Sequence, residues 1–172
     1  MRNFSKLHAM AVVGLFLFVS FSILIGCQTT SNRYLGKMVP EPNRISLPES
    51  KPQSGVWHSK DLVFQYTGNL ESGRLSLTGE LTLDKSYERF QRIEYVYFWI
   101  HCLDSEGTIL DSKLVLSVVG QVAYSGGDKK WPVNIDLDIP SHSTAMTFSY
   151  MGSVIEGGGG SDKWYFYRSP LS

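Results

Sequence analysis

The sequence predicts an all-β domain, a single antiparallel β-sandwich of about seven or eight strands. Three observations predict it. Apolar and polar residues alternate with period two through most of the chain beyond Trp57. Clusters of Gly, Pro, Asp and Ser punctuate the alternating stretches. No segment of that region has the spacing of an amphipathic helix, apart from room for one turn over 86–91.

The elements follow in order. Leu62, Phe64 and Tyr66 alternate in the first clear strand. In the second, Leu75, Leu77, Leu81 and Leu83 face one way and Arg74, Ser76, Thr78, Glu80 and Thr82 the other, the pattern of a strand with one dry and one wet face. Gly79 interrupts that strand and predicts a bulge. The stretch 92–103 is apolar on both sides, with Tyr95, Tyr97 and Trp99 on one and Val96, Phe98, Ile100 and Cys102 on the other. That predicts a central strand covered on both faces, or one face kept for a partner. Asp104-Ser105-Glu106-Gly107 reads as a turn with Gly107 in the left-handed position, and 108–118 as the returning strand. A short strand over 120–124 and a loop at Ser125-Gly126-Gly127-Asp128 come next. Val133, Ile135, Leu137 and Ile139 alternate between Pro132 and Pro140; Met146, Phe148 and Tyr150 alternate after them. A glycine loop, Gly157 to Gly160, precedes a final strand at 164–167.

The amino-terminal end is organised differently. Arg2 and Lys6 precede an apolar stretch from Ala9 to Ile25, which ends in Leu24-Ile25-Gly26-Cys27. A basic head, an apolar middle and a small residue before the cut make a secretory signal. With a cysteine directly after the cut, the tetrapeptide resembles the lipobox of bacterial lipoproteins. The resemblance implies cleavage between Gly26 and Cys27, acylation of the Cys27 thiol, and a protein held on a membrane by lipid, with Gln28 favouring the outer membrane of the cell envelope. Each buried methylene adds about 0.8 kcal/mol, so two or three chains anchor stably. The expected organisation is a signal peptide over 1–26, a lipid-anchored flexible tether over 27–55 and a sandwich over 56–172. Pro40, Pro42, Pro48 and Pro52 make the tether extended and semi-rigid; the other reading docks Ile45–Leu47 on the domain as an edge segment. The closing half, an alternating strand ending in Ile139-Pro140 followed by Thr147-Phe148-Ser149-Tyr150, is similar in pattern to immunoglobulin-like and fibronectin type III sandwiches.

Charge narrows the function. Of 16 basic residues two lie in the leader, and none of the 16 acidic ones does, so the rest of the chain is slightly acidic. No basic run exceeds Lys129-Lys130. Nucleic-acid binding needs a concentrated positive face to displace counterions, and none is present. With Cys27 acylated, Cys102 is the second and last cysteine, so the fold stands without an internal disulfide. Cys102 reads as a small core residue; His101, its neighbour on a strand, points to the opposite face and is no base for it.

No residue set converges on chemistry. His58, His101 and His142 lack metal-ligand spacing. Asp136 and Asp138 read as the wet face of a half-buried strand. No phosphate-cradling glycine loop and no nucleophile elbow occur. The excess lies in aromatic residues, at 13%, which places Tyr95, Tyr97, Trp164, Tyr165 and Tyr167 as candidates for a partner or ligand surface, because Tyr and Trp combine flat area with a polar edge. The competing reading puts the row containing Trp99 in the core. The expected function is a non-catalytic binding or structural role in the envelope, with no cofactor or metal, toward another envelope protein or a glycan. A carbohydrate-binding module and an accessory lipoprotein of a secretion or pilus assembly are the alternatives.

Overall fold

The computed structural model describes residues 32–87, 90–122, 129–156 and 162–172. The expected signal peptide with Gly26 and Cys27, and the expected loops at Ser125–Asp128 and Gly157–Gly160, lie outside the described residues. Residues Tyr34–Ser172 form one compact unit. Its strands are β1 (Ile45–Ser46), β2 (Gln53–His58), β3 (Leu62–Glu71), β4 (Arg74–Leu83), β5 (Arg92–Leu103), β6 (Ile109–Val122), β7 (Lys130–Asp138), β8 (Ala145–Ile155) and β9 (Lys163–Arg168).

All pairings between these strands are antiparallel. One sheet runs β2-β3-β4-β7. The other runs β8-β5-β6, with β1 and β9 both on the free edge of β8, at Ala145–Met146 and Tyr150–Ile155 respectively. The chain changes sheet between β1 and β2, between β4 and β5, between β6 and β7, and between β7 and β8. The two antiparallel sheets pack face to face as a β-sandwich.

The core between the sheets follows from the alternation. Leu75, Leu77 and Leu81 of β4, Val133 and Ile135 of β7 and Phe64 of β3 meet Val96, Phe98 and Ile100 of β5 and Met146, Phe148 and Tyr150 of β8. Phe98 and Phe148 stack at 5.2 Å, and Phe64 meets both edge-on at 5.4 Å. Such aromatic pairs add about 0.5–1.5 kcal/mol each beyond area burial, which suits a sandwich whose described cysteine, Cys102, is free and buried.

Two expectations about strands need correction. Gly79 makes no bulge: the register of β4 with β3 and with β7 is continuous through it. Its side-chain space is already filled, since a β-carbon there would lie 2.1 Å from the Gln65 carbonyl oxygen and 2.9 Å from Cβ of Tyr66. The irregularities fall in β5 instead, at Phe98/Trp99 and Cys102/Leu103 against β6 and at Ile93/Tyr95 against β8. In β5 it is the competing reading, with the row of Trp99 in the core, that is overturned. Val96, Phe98 and Ile100 are buried, while Tyr95, Tyr97 and Trp99 are half-buried on the outer face.

The domain starts earlier than the proline pattern implies. Val39 is buried against Leu103 and Ile109, and Gly36 and Val39 donate backbone bonds to the carbonyls of Ile109 and Gly107. Arg44 donates to the Val39 carbonyl at 2.8 Å. β1 adds to β8, and Pro48 is buried. Residues 34–55 thus belong to the folded unit, and Ile45–Ser46 is the edge segment that the alternative reading allowed. Prolines suit such a place, because an edge strand has one side without ladder bonds. Gly107 takes the left-handed position of its turn, at φ +90°, with the Arg44 guanidinium where a side chain would be. At the far end Asn43 donates to the Ser172 carbonyl, and Arg168 donates to the Asn43 side chain and covers Trp57 at 5.5 Å.

Candidate functional site: the outer face of the five-stranded sheet

Because β5 pairs with β6 on one side and β8 on the other, its outward residues head cross-strand rows. The registers give four. Ser112, His101 and Thr147 form the first; Leu114, Trp99 and Ser149 the second; Ser117, Tyr97, Met151 and Tyr167 the third; Val119, Tyr95, Ser153 and Tyr165 the fourth. These four rows hold no Asp, Glu, Lys or Arg. Tyr95 and Tyr97 stack at 5.3 Å, and Tyr97 meets Trp99 at 5.9 Å. Val119, Tyr165 and Tyr167 are 68%, 66% and 77% exposed.

The opposite surface differs in kind. The outer rows of the four-stranded sheet carry Glu80 and Lys130, paired at 3.1 Å, and Arg74, which grips Asp136 through two bonds of 2.5 and 2.8 Å. That grip holds the Asp136 carboxyl below its ordinary range. Asp136 and Asp138 are on the wet face, as the alternation predicts.

Local structure explains how the aromatic face is held. The irregularity at Ile93/Tyr95 sets Glu94 apart from the ladder. Its carboxylate takes Lys163 at 2.7 Å and the Ser153 hydroxyl at 2.9 Å. Lys163 first, then Ser153, lower the Glu94 carboxyl below its usual range. Burial, and after it the neighbouring Tyr165, raise the Tyr95 phenol. Charge therefore stands at the margin of the face and is neutralised there. At the other end His101 is buried, between the Ser112 hydroxyl on Nδ1 and the Ser149 hydroxyl on Nε2, each at 2.7 Å. The ring of Tyr34 covers it edge-on at 5.6 Å.

The sequence-derived candidates separate here. Tyr95, Tyr97, Tyr165 and Tyr167 come together on one face. Trp164 does not join them: it alternates to the other side of β9, half exposed, 6.1 Å from Phe90. Val119, Leu114 and Met151 complete the face and were missed, because only the strand register brings β6 and β8 beside β5. Cys27 and Gly26 lie outside the described residues.

Other places offer less chemistry. A crevice of about 50 Å³ opens between the sheets near Ser46, Gln53, Tyr66 and Met146, room for little more than a water or two. Asp61 is buried and accepts the hydroxyls of Tyr87 and Tyr150. Among the described residues no three His, Cys, Asp or Glu side chains are grouped to hold a metal ion, and no helix is long and apolar enough to cross a membrane. What the aromatic face can do is stack: its flat rings with hydroxyl edges suit a surface that is part apolar and part wet.

Compared with known proteins, the chain matches no family model, no curated protein and no solved structure at a significant level.

Proposed function

We propose that this protein is a lipid-anchored envelope lipoprotein with a non-catalytic binding role, exerted through the outer face of the five-stranded sheet. Cys27, acylated after cleavage at Gly26, holds it on the membrane, with Gln28 favouring the outer one. The observation that carries the binding role is the four-row face itself. Tyr165 and Tyr167 stand mostly in solvent beside Tyr95 and Tyr97, with no charge among them. An uncharged aromatic surface of that kind marks an interaction site more often than a bare exterior.

The test has two arms. The intact mass of the membrane-extracted protein should show an acylated amino terminus at Cys27. A soluble form beginning at Gln28 should sediment with isolated cell envelopes, and Tyr165→Ser with Tyr167→Ser should weaken that binding about tenfold or more, since a buried interface tyrosine commonly contributes over 1 kcal/mol. Binding unchanged by the double substitution would remove the face from the function. Envelopes stripped of protein, and separately of glycan, distinguish an envelope protein from a carbohydrate ligand.

A further inference from the structure

We infer that the aromatic face of the five-stranded sheet rests on the headgroup zone of the bilayer in which Cys27 is anchored. This rests on the lipoprotein reading above and names what that face meets.

The length of the leash is the first ground. The compact unit begins at Tyr34, so six residues, Gln28 to Arg33, separate it from Cys27. At full extension that connection spans about 25 Å at most. The proline-rich residues that would lift a domain away from lipid are built into the domain instead.

The place where the leash leaves is the second. Tyr34 packs on His101, and His101 heads the same outward row of β5 that continues through Trp99, Tyr97 and Tyr95. A short leash starting on this face draws this face toward the lipid.

Surface chemistry is the third. Tyr and Trp concentrate where bilayers meet water, because their rings sit among headgroups with the polar edge wet. The four rows hold no charge that would need desolvation. The opposite face carries Glu80, Arg74 and Asp136, which belong in water. A slightly acidic chain gains little from anionic lipid, so acyl chains and aromatic contact carry the attachment between them.

The experiment uses the acylated protein in phosphatidylcholine vesicles with bromine labels placed shallowly on the acyl chains. Tyr167→Trp reports the aromatic face and Gln65→Trp the opposite one, each read as its increment over the four native tryptophans. Both positions are exposed, so neither change threatens the core. The indole at 167 should be blue-shifted and lose emission to bromine, unaffected by salt; the one at 65 should do neither. Mass spectrometry of the same sample reads the acyl adduct. An adduct with 167 unquenched, or with 65 quenched equally, overturns the placement and leaves the anchor standing. In that case envelope protein or glycan that protects 167 would claim the face. An unmodified Cys27 overturns both.

Discussion

The hydroxyl of Tyr150 donates to Oδ2 of Asp61 at 2.6 Å, across 89 positions of sequence. Tyr87 donates to the other carboxylate oxygen at 2.7 Å. A buried carboxylate is tolerable here because two phenols donate to it, one to each oxygen. Tyr150→Phe removes one of those partners and keeps the ring, so the loss measures the unsatisfied carboxylate. It should destabilise the domain by about 1–3 kcal/mol, read as a shift in the denaturant midpoint without a change in slope. A midpoint within error of the parent would show that Asp61 is not held this way.

The same pair sets behaviour in alkali. Burial first, then Asp61, push both phenols well above their ordinary value of 10. A folded-state pKa above the unfolded one contributes stability that is complete below the unfolded value and is lost as pH rises beyond it. Stability should therefore hold to about pH 10 and decline above it. In absorbance titration near 295 nm two tyrosines should ionise only as the protein unfolds. Full ionisation of all nine tyrosines before unfolding would contradict the arrangement.

Gly152 and Phe166 share one space. A β-carbon on Gly152 would fall 2.2 Å from Cζ of the Phe166 ring, and Phe166 is buried. Gly152→Ala should displace that ring and cost about 1–3 kcal/mol. Thermal unfolding of Gly152→Ala alone, and combined with Phe166→Leu, checks it: the smaller side chain should relieve part of the loss.

Cys102 should be inert. Burial pushes its thiol up to about 11, and it is enclosed in the folded protein. A thiol reagent should find it only after denaturant is added. Rapid modification of the native protein at this residue would place it at the surface.

Tyr165→Ser with Tyr167→Ser should leave stability within about 0.5 kcal/mol of the parent, as surface substitutions usually do. A large loss would mean that these rings support the fold, and would weaken any use of the pair to test binding.

The strands were largely legible. Period two located β3, β4, β7 and β8, since each has a single apolar row and only one way to face the core. β5 was not decidable that way. Both of its rows are apolar, and the choice of Val96, Phe98 and Ile100 depends on which side the second sheet packs, information held by β4, β7 and β8. The amino-terminal residues misled because proline is equally at home in a spacer and on an edge strand; Val39 finds its burial only against Leu103 and Ile109, and Ile45 its place only beside β8. The pairing of Asp61 with Tyr150 could not be read at all, since nothing local links them. The site was half legible. The tyrosines announced themselves by number, but register alone assigned Tyr165 and Tyr167 to the face and Trp164 away from it.

The strap from Gly36 to Val39 has a mechanical consequence. Three main-chain bonds, Gly36 to Ile109, Ile109 to Lys37 and Val39 to Gly107, fasten it to the start of β6. Tension applied from the amino-terminal side is met first by these bonds and by the Tyr34–His101 contact. The strap is thus where such a load is first borne, ahead of β1 and the strands that follow it.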